Sequence, residues 1–246
     1  MRPWRFESSH PHQASLNRPL PWNRMTPMEA PLIAIDVAFL LPEQAQARAL
    51  AVNATLWEQS PKGFRFDETH LPHITLVQQF VQRASLPDIF AAVEVVLGDF
   101  LPLTLTVSHV ETRGETAQFV IAPHPELQRL HERLMEALAP FDEGDGPAEA
   151  FANGDEPPRP RDLEWVRNYR ARASGRHYFP HITLGKGIVT EPIAPFSFTA
   201  DRIAVCQLGR FCTCRVILRE WQLKRPFRKG GSKCSDARRS SPWRRS

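Results

Sequence analysis

The pentapeptide Pro-His-Ile-Thr-Leu occurs twice in this chain, at Pro72–Leu76 and at Pro180–Leu184. One copy lies in each half of the 246 residues. An exact repeat of this length is rarely a coincidence, and self-similarity over a long separation is a signature of duplication. The repeat therefore predicts two similar lobes, each containing one copy of the motif.

The spacing inside each copy has a consequence for side-chain direction. Both copies lie in segments whose composition predicts a β-strand, and side chains on a strand alternate between its two faces. His73 and Thr75 therefore point the same way, and so do His181 and Thr183. If the two lobes face each other, two imidazoles and two hydroxyls surround one cavity.

Two imidazoles and two hydroxyls suit chemistry at phosphorus. The unperturbed pKa of imidazole is about 6.5, so one histidine can act as a neutral base while the other is a protonated acid. Threonine hydroxyls can hydrogen-bond the non-bridging phosphoryl oxygens and stabilise their growing charge. The pattern therefore predicts His73 and His181 as catalytic residues and Thr75 and Thr183 as substrate-binding residues in an in-line displacement without a metal.

The rest of the chain has an α+β pattern with antiparallel hairpins. Apolar periodicity predicts strands at 31–41, around 71–80, 103–112, 117–122, 178–188, 196–207 and 211–223, and helices at 42–59, 85–97, 125–138 and 161–172. The fold class that follows is bilobal, with duplicated antiparallel sheets, helices on the outside and a central cleft.

Three segments fall outside this pattern. Met1–Pro27 and Lys224–Ser246 have no apolar periodicity, and we expect both to be disordered extensions of a body formed by residues 28–223. Phe141–Pro160 is rich in Gly, Pro and acidic residues, and it is too polar to fold alone. We therefore treat it as an acidic loop inserted in the body.

The net charge of +4 is distributed unevenly along the chain. Lys224–Ser246 contains nine Lys or Arg residues and one acid, and Met1–Pro27 contains four Arg residues and one acid. The body between them therefore carries a net charge of −7. Proteins that grip long duplex nucleic acid are usually basic on one face, so this distribution favours a small or terminal phosphate substrate.

Composition also restricts the class of protein. No apolar run approaches the roughly 20 residues of a membrane span, and the N-terminus lacks the apolar core of a secretory signal. Of the four cysteines, Cys212 and Cys214 share a strand face, but the spacing offers no further ligands for a zinc site. We therefore expect a cytoplasmic protein that uses no metal.

The two motif strands and their surroundings resemble a known family. LPHITLVQQFV, YFPHITLG and the VCQLGRFCTC segment are similar to sequences of the 2H phosphoesterase superfamily, in the branch called the 2′-5′ RNA ligase family. The likeness extends over residues 31–223. It implies a bilobal fold and hydrolysis of 2′,3′-cyclic phosphates, or related nucleotide and RNA-end phosphodiesters, without a cofactor. It further implies that His181 activates water and His73 protonates the leaving oxygen.

Several alternatives stay open at this point. Phe179 shares a strand face with His181, so it either stacks on a base of the substrate or packs in the core. The partner is expected to be a nucleotide or an RNA end with a cyclic phosphate, bound by a monomer. A non-catalytic RNA-binding module and an RNA 2′-5′ ligase, which runs the reverse reaction, are the rival functions.

Overall fold

The computed structural model describes residues 31–61, 63–152, 154 and 156–224. Its strands are β1 (Leu32–Leu40), β2 (His73–Gln82), β3 (Leu103–Arg113), β4 (Thr116–Ile121), β5 (His181–Lys186), β6 (Phe196–Ala200), β7 (Arg202–Leu208) and β8 (Cys214–Gln222). Its α-helices are α1 (Glu43–Gln59), α2 (Leu86–Leu97), α3 (Pro125–Ala137) and α4 (Pro160–Arg172). The predicted α+β class is confirmed.

The strands form two four-stranded antiparallel sheets, which define the two lobes. The first lobe has the strand order β2-β1-β7-β8, and the second has the order β5-β4-β3-β6. Each motif strand, β2 or β5, lies at one edge of its sheet and pairs with a single neighbour. The predicted duplication is therefore visible in the topology, because both copies of the pentapeptide begin an edge strand.

Each motif strand also carries a β-bulge at the same place. The pairing register skips Leu76 in β2 and Leu184 in β5, the last residue of each pentapeptide. A bulge changes the alternation of side chains beyond it. It therefore returns Gln78 and Lys186, each three residues after the motif threonine, to the face of the motif histidine. In β5 the bulge uses Gly185, whose φ of 139° favours glycine.

Buried side chains from helices hold the carbonyls of both bulged residues. The Leu76 carbonyl accepts hydrogen bonds from His131 Nδ1 on α3 (2.7 Å) and from the Tyr169 hydroxyl on α4 (3.2 Å). The Leu184 carbonyl accepts one from Asn53 Nδ2 on α1 (2.7 Å). Because a bulge disrupts the ladder, these side chains supply the partners that a neighbouring strand would otherwise provide.

One predicted strand is wrong. The apolar run at 196–207 predicts a single strand, but the chain changes sheets at Asp201, with β6 in the second lobe and β7 in the first. The backbone N–H of Leu223 donates to the Asp201 carbonyl at 2.7 Å, so the turning point is fixed from β8. A single strand cannot pair in both sheets. The break at Asp201 divides the apolar run into two strands, one for each sheet.

The acidic segment packs against the body. Phe151 is buried and contacts the Phe80 ring, with 5.9 Å between ring centroids. Its acids pair with bases elsewhere, in the ion pairs Asp142–Arg170, Asp145–Arg167 and Glu156–Arg210. Two of these partners, Arg167 and Arg170, lie on α4, so acids of the segment compensate bases of that helix.

The expected disorder of 1–27 and of nearly all of 224–246 concerns residues outside the described part of the chain. Within the described part, none of the helices combines the length and the apolar character needed to cross a membrane.

Candidate active site

A cleft of about 660 Å³ lies between the two motif strands. All five residues predicted for the site line it: His73, Thr75, Phe179, His181 and Thr183. Their convergence follows from the edge positions of β2 and β5, which bring the two copies of the motif face to face.

His73 is held in one tautomer by its own backbone. Its Nδ1 lies 2.8 Å from the Leu71 carbonyl, which can only accept a hydrogen, so Nδ1 carries one. Its Nε2 lies 3.4 Å from Oδ2 of the buried Asp36. Burial by itself lowers the pKa of His73, but the hydrogen bond and charge of Asp36, with the Leu71 carbonyl, more than offset it and raise that pKa above its ordinary value. A protonated Nε2 is therefore favoured here.

Asp36 is the electrostatic centre of the first lobe. It lies on β1, is fully buried, and its Oδ2 accepts from the Thr75 hydroxyl at 2.8 Å and from Gln78 Nε2 at 2.7 Å. Its Oδ1 is also buried but has no hydrogen-bond partner among the described residues. A buried carboxylate needs compensation by a positive charge, and the imidazolium of His73 is the group in position to provide it.

His181 has the same backbone lock but no carboxylate. Its Nδ1 lies 2.8 Å from the Phe179 carbonyl, so Nε2 is the nitrogen available to the cleft. Burial lowers the pKa of His181, and the hydrogen bond to the Phe179 carbonyl offsets part of this. The positive charges of His73 and Arg113 lower the pKa further, against a smaller opposing effect of Glu111. The neutral imidazole, with a lone pair on Nε2, is therefore favoured.

The two threonines differ in what their hydroxyls contact. The Thr75 hydroxyl donates its hydrogen to Asp36, so this hydrogen is not directed at a substrate. The Thr183 hydroxyl lines the cleft, and no partner for it occurs within the described ranges. Of the two, Thr183 has the donor that a phosphoryl oxygen could use.

Phe179 is partly covered by a cation. The Arg113 guanidinium lies 3.9 Å from the centroid of its ring, a cation–π contact. The ring is also tilted by 31° against His181, at 5.8 Å between centroids. Arg113 therefore covers one face of the Phe179 ring.

The walls of the cleft are rich in cations although the body is acidic. Five basic side chains line it besides the histidines: Arg113, Arg159, Arg161, Arg172 and Lys186. Arg159 and Arg172 pair with acids on α4. Among the described residues, the partners of Lys186 Nζ are Thr116 Oγ1 at 3.0 Å and the exposed Glu115 at 3.8 Å. Positive charge is thus concentrated where the motif histidines meet.

Comparison with known proteins agrees with the duplicated motif. The model of the 2′-5′ RNA ligase superfamily matches residues 41–208. This chain belongs to that superfamily. No curated protein matches it. Among solved structures, TT0787 of Thermus thermophilus is similar in fold, with 15% identity over 78% of this chain and 98% of its own, and a TM-score of 0.52. LigT of E. coli complexed with 3′-AMP has 17% identity over 80% of this chain and 100% of its own, with a TM-score of 0.48.

The motif of this superfamily member did not reveal every residue around the histidines. Asp36 was missed, although it is the only charged residue in the apolar run PLIAIDVAFLL, and a lone charge in a buried strand is a signal for a functional or paired group. Gln78 and Lys186 were missed because their place in the cleft depends on the bulges. Arg113 was missed because it lies at a hairpin end, where a charged residue is ordinary.

Proposed function

We propose that this 2′-5′ RNA ligase superfamily member is a metal-independent phosphodiesterase that opens 2′,3′-cyclic phosphates, or cleaves related nucleotide and RNA-end phosphodiesters. In this scheme the His181 Nε2 lone pair takes a proton from water, and the water oxygen forms a bond to phosphorus. The bond from phosphorus to the leaving ribose oxygen breaks, and His73 gives that oxygen the proton from its Nε2.

The observation that carries the proposal is the unequal setting of two otherwise equivalent imidazoles. Both have Nδ1 locked on the carbonyl two residues earlier, which leaves both Nε2 atoms for proton transfer. Asp36 stands beside only one of them, so a proton on Nε2 is favoured at His73, whereas the neutral ring is favoured at His181. General acid–base catalysis needs such a pair of groups in opposite protonation states at the same pH.

The charge of the cleft supports a phosphate substrate. Arg113, Arg161 and Lys186 line the cleft, and the Thr183 hydroxyl offers a hydrogen bond. Positive groups fixed in a partly buried site stabilise the charge that develops on the non-bridging oxygens. Because these groups belong to the protein, the scheme uses no cofactor.

The test is turnover of a small panel of substrates in EDTA: the four 2′,3′-cyclic mononucleotides, an RNA ending in a cyclic phosphate, and 2′,5′-oligoadenylate. We expect hydrolysis of at least one of them, at a rate that chelation leaves unchanged. Loss of activity in EDTA that a divalent ion restores would contradict the metal-independent scheme.

The same panel separates the rival functions. An RNA-binding module would bind the RNA and turn over none of the substrates. A ligase would join 2′,3′-cyclic phosphate and 5′-hydroxyl ends faster than it hydrolyses the cyclic end, a preference that water in excess works against. A monomeric state and a cytoplasmic location stay predictions, which sedimentation and cell fractionation would test.

A further inference from the structure

Three side-chain atoms that could bind a metal lie close together at His73. Asp36, His73 and Cys214 each contribute one donor atom, and these atoms lie within 4.8 Å of one another. Asp36 and Cys214 are fully buried, whereas His73 borders the cleft and so connects the group to solvent. A carboxylate, an imidazole and a thiol are the three ligand types that zinc uses in proteins.

One donor in this group is unused. Oδ2 of Asp36 accepts from Thr75 and Gln78 and lies near His73, but its Oδ1 is buried without a partner in the part of the chain that the structure describes. An unsatisfied buried carboxylate oxygen is costly, and a cation is the ligand that satisfies it most strongly. Asp36 therefore has an unsatisfied oxygen and also belongs to a group whose composition suits a metal ion.

We propose that Asp36, His73 and Cys214 form a binding site for a thiophilic divalent cation such as zinc, and that an ion bound there inhibits the enzyme. With a hydrogen on His73 Nε2, which lies 3.4 Å from Asp36 Oδ2, and one on Cys214 Sγ, the group of carboxylate, imidazolium and thiol is neutral overall. Zinc replaces one proton on His73 Nε2 and one on Cys214 Sγ. The products are two released protons and a site of neutral imidazole, carboxylate, thiolate and Zn²⁺, which is again neutral.

An ion can bind at such a buried group only if the net charge of the group stays close to zero. A net charge in a medium of low polarity is strongly disfavoured, and this exchange changes no net charge. A tetrahedral zinc with bonds of about 2.0–2.3 Å separates its ligand atoms by roughly 3.4–3.8 Å. The three donors, now within 4.8 Å, need to close by only about an ångström. A water from the cleft occupies the fourth position.

Inhibition follows from the atom that the metal takes. His73 Nε2 is the nitrogen that protonates the leaving oxygen in the proposed scheme, and it cannot bind zinc and carry a proton together. The inhibitory half of the inference therefore rests on the proposed function, whereas the binding half does not. The experiment measures the two halves separately.

Binding is tested with Co²⁺ as a spectroscopic substitute for zinc on the full-length protein. A thiolate bound to Co²⁺ absorbs in the near ultraviolet, and a carboxylate or imidazole does not. All proteins carry Cys234→Ser, which removes the thiol outside the described residues. We expect the absorption band, and its loss when Zn²⁺ displaces the Co²⁺.

The matched pair of variants is Cys214→Ala and Cys212→Ala. Cys212 lines the cleft two residues away, and its thiol is not among the three donors, so it controls for adventitious binding at the more accessible sulfur. We expect the band to persist in Cys212→Ala and to vanish in Cys214→Ala. In Cys214→Ala the zinc concentration that gives half-inhibition should be at least about tenfold higher. Each inhibition curve is scaled to the variant's own rate without zinc. Cys214→Ser replaces Cys214→Ala if circular dichroism shows that the alanine variant is unfolded.

Two results would overturn the site. A band that survives Cys214→Ala, or its Ser replacement, and is lost in Cys212→Ala would move the metal to the cleft thiol. Equal zinc inhibition of both variants would place the inhibitory ion elsewhere, for example between the two histidines. Because the band needs no turnover, a protein that binds Co²⁺ through Cys214 but hydrolyses nothing in the panel would refute the proposed function and leave the metal site standing.

Discussion

The two lobes contain the same pentapeptide in the same local structure, but the side chains around it differ. In both, the motif begins an edge strand, a bulge falls on its leucine, and a backbone carbonyl locks the histidine Nδ1. Beyond the bulge, the first lobe pairs Gln78 with Asp36, whereas the second pairs Lys186 with Thr116. The first of these pairs therefore contains an acid, on the neighbouring strand, and the second contains a base, on the motif strand itself.

The repeat accounts for the shared geometry of the two lobes but not for the different electrostatics around their histidines. The repeated strand positions two imidazoles at one cleft, which is a matter of geometry. Which of them holds a proton depends on the side chain that the neighbouring strand presents, Asp36 on β1 or Thr116 on β4. A symmetrical frame can in this way carry out a reaction that needs two different groups.

The largest expected effect comes from removing either imidazole. His73→Ala and His181→Ala each delete a proton-transfer group, so each should lower kcat by about 10²–10⁴-fold. His109→Ala, which removes an exposed imidazole on β3, is the control and should leave kcat unchanged. Steady-state kinetics on the best substrate of the panel measures all three. If only one motif histidine mattered, the paired scheme would be wrong.

A smaller effect is expected from the threonine with a free donor. Thr183→Ala removes a hydroxyl that can bind a phosphoryl oxygen, which should cost about 1–3 kcal/mol of transition-state stabilisation. Thr183→Ser keeps the hydroxyl and should restore most of the rate. Comparison of kcat for the two variants tests the role. A serine variant as slow as the alanine variant would indicate a packing defect instead.

The next effect concerns the pH dependence of the rate. Asp36→Asn removes the charge that raises the pKa of His73, so that pKa should fall. In the proposed scheme His73 is the acid, so the alkaline limb of the bell-shaped profile should move to lower pH, by about one unit for each 1.4 kcal/mol of lost interaction.

The equivalent change in the other lobe is the control for Asp36→Asn. Thr116→Ala alters the position that corresponds to Asp36 without touching a charge, so both limbs should stay in place. A profile that moves equally in both variants would show that Asp36 does not set the protonation of His73.

The smallest expected effect is on stability, and it distinguishes the two bulges. His131 donates from Nδ1 to the Leu76 carbonyl and accepts at Nε2 from the Gly175 N–H (3.1 Å), so only the neutral ring satisfies both. Burial lowers its pKa in the folded protein. The unfolded chain therefore binds the proton more readily, and stability should fall as pH drops below about 6.5, by at most about 1.4 kcal/mol per pH unit.

His131→Gln provides the comparison, because its amide can still donate to the Leu76 carbonyl but does not titrate. Urea unfolding at about pH 7 and about pH 5 should show a smaller acid-induced loss in this variant than in the wild type. At the bulge of the second lobe the donor is the amide of Asn53, which does not titrate. Equal losses in both proteins would assign the acid effect to other groups.

Local patterns were enough to predict most of the fold. Alternation and helical periodicity depend on neighbours in the chain, and the strands and helices outside 196–207 were predicted close to their observed bounds. The change of sheet at Asp201 was not predictable in this way, because the residues on both sides of it are strand-forming and only their partners differ. Pairing partners are a long-range property.

The candidate site divides along the same line. The motif predicts His73, Thr75, His181 and Thr183 as site residues because it repeats them, and all four side chains line one cleft. The hydrogen bond from Thr75 to Asp36 could not be predicted, since it joins residues on two strands whose register the sequence does not state. The ion pairs of the acidic segment with α4 were missed for the same reason.

The one-residue crossing at Asp201 has a consequence for how the chain folds. All strands of the second lobe lie between Leu103 and Ala200, so its sheet can close as soon as that stretch has emerged from the ribosome. In the first lobe, β1 pairs with β7, and this contact must close a loop of most of the chain, which is entropically slow. We therefore expect β1 to pair with β2 first and to leave its other edge unpaired until β7 and β8 have been synthesised. The Asp36 carboxylate would become fully enclosed only at the end of folding, so the electrostatic asymmetry between the lobes is the last property of the site to form.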